Sequence, residues 1–144
     1  MKKLFLTAFV LLGLVLVSQA QTKHYIGEKF GGGIVFDVSA DSLHGLIAET
    51  IDQGRGNWEQ AKEIAKSGKH SAAGKAFTDW YLPSKDELNK LYLQRKIVGG
   101  FTSNYYWSSS EFDNLHAWNQ YFGNGKQNYH GKNLTLLVRA VRAF

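Results

Sequence analysis

The chain has no cysteine and only one proline. Beyond its first twenty residues it has no apolar run long enough to cross a bilayer and no basic run longer than two residues. Each absence excludes something. Without cysteine there is no disulfide to staple the fold, so stability has to come from a hydrophobic core. About 124 residues follow position 20, and a chain of that size buries roughly two thirds of its unfolded surface, enough for one domain. A nucleic-acid binder clusters enough Lys and Arg to meet about 6–10 phosphates. Here the formal charge is +5, and loss of Lys2 and Lys3 with a leader lowers it to +3, with the remaining lysines interspersed among acids. Nucleic acid is therefore excluded as a partner. His24, His44, His70, His116 and His130 show no HxxH or HExxH spacing, so no metal site is indicated. Ser108-Ser109-Ser110 lacks a GxSxG elbow and a placed base. The residues imply a protein that is not an enzyme, with no catalytic residue and no cofactor.

What the chain does have begins with an export signal over residues 1–20. Lys2 and Lys3 precede the uncharged run Leu4 to Val17, and Ser18-Gln19-Ala20 places small residues where signal peptidase reads them. As a helix the run spans about 21 Å, short of a roughly 30 Å hydrocarbon core. Cleavage before Gln21 is expected. Gln21 is no lipid-attachment cysteine, so the mature form, residues 21–144, is expected to have no membrane span and to be secreted or periplasmic, at a cell surface only through what it binds.

The mature chain reads as strands, then two helices, then strands, an α+β pattern. Gly31-Gly32-Gly33 precedes the strand Ile34–Val38 rather than a helix, which favours a turn or bulge over a phosphate loop. Leu43 to Thr50 returns as the other half of a hairpin. Asn57 with Gln60, and Gly68 beyond, bound one helix; Trp58, Ala61, Ile64 and Ala65 share its apolar face. Pro83, Ser84 and Glu87 open a second helix that Gly99-Gly100 ends. Tyr105–Glu111, Leu115–Phe122 and Lys126–His130 read as strands, with Gly123-Asn124-Gly125 as a hairpin turn. Leu134–Phe144 reads as one closing apolar strand.

Asp79-Trp80-Tyr81-Leu82-Pro83-Ser84-Lys85-Asp86-Glu87-Leu88 resembles a motif usually written DWRLPTKDEL. Tyr106-Trp107-Ser108-Ser109-Ser110-Glu111, Ala117-Trp118, Phe122, Gly125 and Val138-Arg139-Ala140-Val141-Arg142 come after it in order, and Gly32–Phe36 and His44–Ala48 match the opening. Together they resemble the DUF1566 family, named for the C-terminal domain of the Legionella collagen-like adhesin Lcl, from about Gly27 to Phe144. That resemblance implies a C-type-lectin-like fold, with twisted, mostly antiparallel sheets, two helices and long surface loops. It also implies adhesion or ligand capture, sulfated polysaccharide being the ligand associated with the Lcl domain. Tyr81 stands where the family usually has Arg, which weakens an ion pair expected there. The catalytic formylglycine-generating relatives of the fold need a thiol that this chain lacks. In Trp118-Asn119-Gln120 a neutral amide replaces the carboxylate of a lectin calcium segment, which argues against calcium.

The stretch from Tyr105 to Lys132 interleaves aromatic rings with amides. Ring faces stack on sugar C–H groups, and amides read hydroxyls. Trp107, Asn114, Trp118, Asn119, Asn124, Lys126, Asn128, His130 and Lys132 are thus the candidate ligand-binding residues, the lysines serving sulfate or carboxylate groups. Trp107 and Trp118 fit the core equally well. Trp80, Pro83, Ser84, Glu87, Glu111, Arg139 and Arg142 are assigned structural roles, with Glu87 and Glu111 expected to neutralise the two arginines. The expected function is a secreted ligand-binding module for a polysaccharide or another surface polymer. The alternative is a non-catalytic structural or protein–protein interaction domain with a surface protein as partner.

Overall fold

The computed structural model describes residues 21–144; the export signal expected over 1–20 lies outside the described residues. In chain order the elements are β1 (Lys29–Phe30), β2 (Gly33–Val38), β3 (Gly45–Ala48), β4 (Gly54–Gly56), α1 (Trp58–Ser67), a 3-10 turn (Gly74–Ala76), α2 (Lys85–Leu93), α3 (Arg95–Val98), β5 (Tyr105–Glu111), β6 (His116–Tyr121), β7 (Gln127–Gly131), β8 (Leu136–Val138) and β9 (Val141–Ala143). The class is α+β. One antiparallel sheet has the order β1-β2-β3-β9; the second has the order β4-β8-β5-β6-β7, with β5 and β8 parallel.

The apolar run Ile34-Val35-Phe36 belongs to a strand buried on both faces. Ile34 and Phe36 join a core with Leu88, Leu91, Tyr106, Phe122 and Val141, while Val35 joins another with Trp58, Trp80, Trp107 and Val138. Alternate residues of a strand point to opposite sides, so one strand serves two cores only if both faces are apolar. The glycines before it form the β1–β2 turn. Gly32 has φ +88°, and a Cβ there would lie 2.6 Å from the Phe77 ring, so glycine is required for conformation and space alike.

Both helices start as their sequences specify. Asn57 and Gln60 close a reciprocal capping box on α1, and Ser84 and Glu87 do the same on α2. Trp58, Ala61 and Ala65 are the buried face of α1. The second helix is interrupted where a continuous one was expected. At Gln94 the backbone leaves helical geometry, and Arg95 donates to the Tyr92 carbonyl at 3.0 Å, with its guanidinium over the Tyr92 ring. The turn there is rebuilt around a side chain, and α3 begins beyond it. Three buried indoles each donate to a main-chain carbonyl: Trp58 to Ser108 (2.8 Å), Trp80 to Gly74 (2.9 Å) and Trp107 to Gly56 (3.0 Å). A buried N–H left without a partner costs free energy, so these bonds select how the tryptophans pack as well as where.

The closing strand expected over Leu134–Phe144 is two strands in two sheets, β8 and β9. The break falls at Arg139 and Ala140. Arg139 is wholly buried; it donates to Asp52 (2.9 Å) and to the carbonyls of Glu49 (3.0 Å), Gly99 (3.1 Å) and Gly100 (2.6 Å). Glu49 N–H donates to the Ala140 carbonyl at 3.0 Å, and Ala140 N–H donates to the Gln53 side chain. These partners hold the chain between the sheets, so one arginine joins the loop after β3 to the segment before β5. Among the described residues no helix is long and apolar enough to cross a membrane.

Candidate functional site: an aromatic shelf at the β6–β7 edge

The second sheet ends in two consecutive hairpins, β5–β6 and β6–β7. β5 and β6 slip register between Trp107↔Asn119 and Glu111↔Ala117, a bulge that bends the strand and redirects the residues beyond Glu111. The first of these is Phe112, whose N–H donates to the His116 carbonyl at 3.0 Å across the turn. Asp113 builds that turn: one carboxylate oxygen accepts from the N–H groups of Leu115 and His116, both at 2.8 Å, and from the His116 ring. These bonds, the Leu115 N–H foremost, hold the Asp113 carboxyl below its ordinary range.

In β6 and β7, Trp118 lies opposite Tyr129. The Phe112 and Tyr129 rings stack parallel within 2°, with centroids 3.8 Å apart, and both meet Trp118 nearly at right angles, at 5.4 and 5.7 Å. Phe112 is 45% exposed, Tyr129 48% and the neighbouring Leu115 72%. Lys85 Nζ stands 3.5 Å from the Trp118 ring centroid, a cation–π contact that occupies one face of the indole. The stacked pair, rather than the tryptophan, thus presents open aromatic surface, with a cation and the Asp113–His116 pair beside it.

The residues singled out from sequence are not brought into one cluster. Trp118 belongs to the shelf, under Lys85. Trp107 is a correction: it is fully buried, with its indole N–H bonded to Gly56, and is core. Asn119, at 1% exposure, is likewise enclosed. It holds the His130 ring at 3.1 Å on the opposite face of the hairpin, where His130 also meets Tyr105 edge-on at 5.0 Å and Asn128 lies opposite Asn119. Asn124 is turn chemistry, accepting from Lys126 N–H at 3.0 Å, and Lys126 is exposed beside it. Lys132 is occupied by Glu111 (2.9 Å) and the Asn114 carbonyl (3.1 Å). Asn114 is exposed.

The pairing expected of the acids is also corrected. Arg139 takes Asp52, and Arg142 takes Asp79 through two nitrogens, at 2.7 and 2.9 Å. Glu87 serves the cap and accepts from Tyr81 O–H at 2.9 Å, while Glu111 holds Lys132. Asp52 and Asp79 lie nearer in the folded chain because β8 and β9 run beside the loops that carry them. Burial first, Glu87 second, push the Tyr81 hydroxyl pKa well above its ordinary 10.0. Trp80 and Pro83 are buried as structural residues, Trp80 stacked on His70 at 5.6 Å.

Sequence reading missed Phe112 and Lys85 as parts of the site. Phe112 stands in a polar turn, Glu111-Phe112-Asp113-Asn114, where a large apolar residue has nothing local to bury against. That mismatch was a signal, but the bulge that turns it towards Tyr129 was not readable. A hollow of about 430 Å³ also lies at the glycine turn, lined by Phe30, Gly31, Gly32, Thr50 and Ser71 among others. Its Ser71 hydroxyl is committed to the buried Glu49 at 3.2 Å, so it offers little convergent polarity.

The class these features define is an α+β domain with an exposed aromatic surface at one sheet edge. The chain belongs to the Lcl C-terminal domain family, whose profile matches residues 37–142. No curated protein matches it.

Proposed function

We propose that the domain is a non-catalytic binding module of an exported protein, C-type-lectin-like in fold, that takes a glycan or a related surface polymer on the Phe112–Tyr129 shelf. One observation carries the reading: two stacked rings, each nearly half exposed, are held against Trp118 where nothing in the described chain covers them. Exposed large aromatics cost solvation, and a cluster of them marks a contact surface. An open shelf rather than a deep cavity suits a long polymer that is gripped at one or two units. Lys85 on one flank and Lys126 at the far turn of the same hairpin favour acidic over neutral chains. Adhesion is the role this reading assigns, with the module holding its protein to the polymer.

A glycan array of residues 21–144 at two salt concentrations tests this. Binding to acidic glycans that weakens with salt is expected. Phe112→Ala or Tyr129→Ala should each reduce it several-fold, a stacking contribution of about 0.5–1.5 kcal/mol. Undiminished binding by the double variant would dismiss the shelf as the site.

A further inference from the structure

Two segments far apart in sequence meet at one apolar face. Glu28 N–H donates to the Tyr25 carbonyl at 3.1 Å, closing a turn with Ile26 and Gly27 at its tip. Gly27 has φ +91°, and a Cβ there would lie 3.2 Å from Ile97 Cγ2, so the turn rests on α3. Across the break after α2 the turn spacing is kept. Gln94 N–H bonds the Lys90 carbonyl and Val98 N–H bonds the Gln94 carbonyl, at 3.2 and 3.0 Å. Leu93 and Ile97 therefore stand one turn apart on one side. Leu93 is 64% exposed and Tyr25 66%, and Ile26 and Ile97 are exposed as well. Large apolar side chains gathered in the open mark a contact surface.

The charge around this face has one sign. From Leu88 to Ser110 the chain carries Lys90, Arg95 and Lys96 and no acid. Glu28, in the turn itself, is bonded to the His24 ring and the Tyr25 N–H, and Asp37 holds Lys90. Lys23 and Lys96 are exposed, and Arg95 lies over the Tyr92 ring. Among the described residues none of these three pairs with an acid. A second copy on this face would bring two sets of unpaired cations together, which disfavours self-pairing. Charge alone would admit an acidic protein; the tether selects a bilayer. The uncharged run Leu4–Val17 of the expected export signal is followed by only seven residues, 18–24, before Tyr25. Fully extended they span about 25 Å. When that run enters a bilayer, this face is the part of the domain tethered closest to it. We propose that the face docks on an anionic bilayer. Tyr25, Ile26, Leu93 and Ile97 enter the headgroup layer, and Lys23, Arg95 and Lys96 meet lipid phosphates. The inference rests on the export reading and is independent of the Phe112–Tyr129 shelf.

The test sediments residues 21–144 with vesicles of phosphatidylcholine and phosphatidylglycerol at about 7:3. Cosedimentation is expected with these and not with pure phosphatidylcholine, and it should weaken with salt. Leu93→Ser/Ile97→Ser should weaken it about tenfold or more with a nearly unchanged unfolding midpoint, and Lys96→Glu about fivefold or more. Phe112→Ala/Tyr129→Ala should retain it; loss there would assign the contact to the shelf and overturn the proposal. Absence of cosedimentation, equal sedimentation with pure phosphatidylcholine, or binding undiminished by Leu93→Ser/Ile97→Ser also overturns it. So does self-association without vesicles that the same double variant abolishes, which would make a second copy the occupant. These outcomes stand whether or not the protein is exported, which a chain beginning at Gln21 in the secreted fraction shows separately.

Discussion

On β5, the middle strand of the five-stranded sheet, Tyr106 and Trp107 are wholly buried, whereas towards the β7 end Phe112 and Tyr129 are nearly half exposed, though all four lie in one run of about 25 residues. The residue types are alike; what differs is the layer above them. Trp107 shares a core with Trp58 of α1, Trp80 and Val35, and Tyr106 shares another with Phe122, Leu88 and Phe36. Beyond β6 no element of the described chain continues over the Phe112–Tyr129 pair. The comparison teaches that aromatic residues at the inner end set stability and those at the outer end are free to serve a ligand.

The largest effect should come from the inner end. Arg139→Ala leaves Asp52 and the carbonyls of Glu49, Gly99 and Gly100 without their donor, which should cost about 3–5 kcal/mol in urea unfolding. A loss under about 1 kcal/mol would show that the two sheets do not depend on this joint. Trp107→Phe should cost about 1–3 kcal/mol, because it removes volume from a closed core and strands the Gly56 carbonyl. Tyr129→Ala, by contrast, should move the unfolding midpoint little, by about 0.5–1 kcal/mol or less, while glycan binding falls. If Tyr129→Ala destabilises as much as Trp107→Phe, the distinction between the two ends fails.

The smallest effect concerns acid. The Arg142 guanidinium holds the Asp79 carboxyl below its ordinary 3.8. A carboxyl depressed in the folded state contributes stability that is present above its ordinary value and lost as pH falls through the lower folded value. Asp79 is more than half exposed, so the contribution is about 0.5 kcal/mol or less. Asp79→Asn should therefore be slightly less stable than the parent near pH 6 and nearly equal to it near pH 2, as read from urea midpoints.

The legible parts of the fold were those decided within a few residues. The capping boxes of Asn57 with Gln60 and Ser84 with Glu87, the apolar face of α1, the β2–β3 hairpin and the Gly123–Gly125 turn all depend on neighbours in sequence. The parts decided across the fold were not legible. The division of Leu134–Phe144 into β8 and β9 depends on Gln53, Asp52 and Gly99, and β4 pairs only because β8 lies beside it. Within the stretch from Tyr105 to Lys132, Trp107 and Asn119 turned inward and Phe112 outward. An irregularity between Trp107 and Glu111 made that choice: four steps of β5 stand against two of β6, which bends the strand and redirects the residues after it.

By itself, the sequence determined that the described chain must stand on a core without disulfides, where its helices begin, and which hairpins it makes, because capping, turn conformation and alternation act over two to four residues. It also determined the family, through motifs in order. Tertiary structure alone decided which acids meet Arg139 and Arg142, which aromatics are covered, and that Phe112 and Tyr129 stack in the open. Those outcomes depend on which layers cover which faces, and a layer is assembled from residues as distant as Asp52 and Arg139.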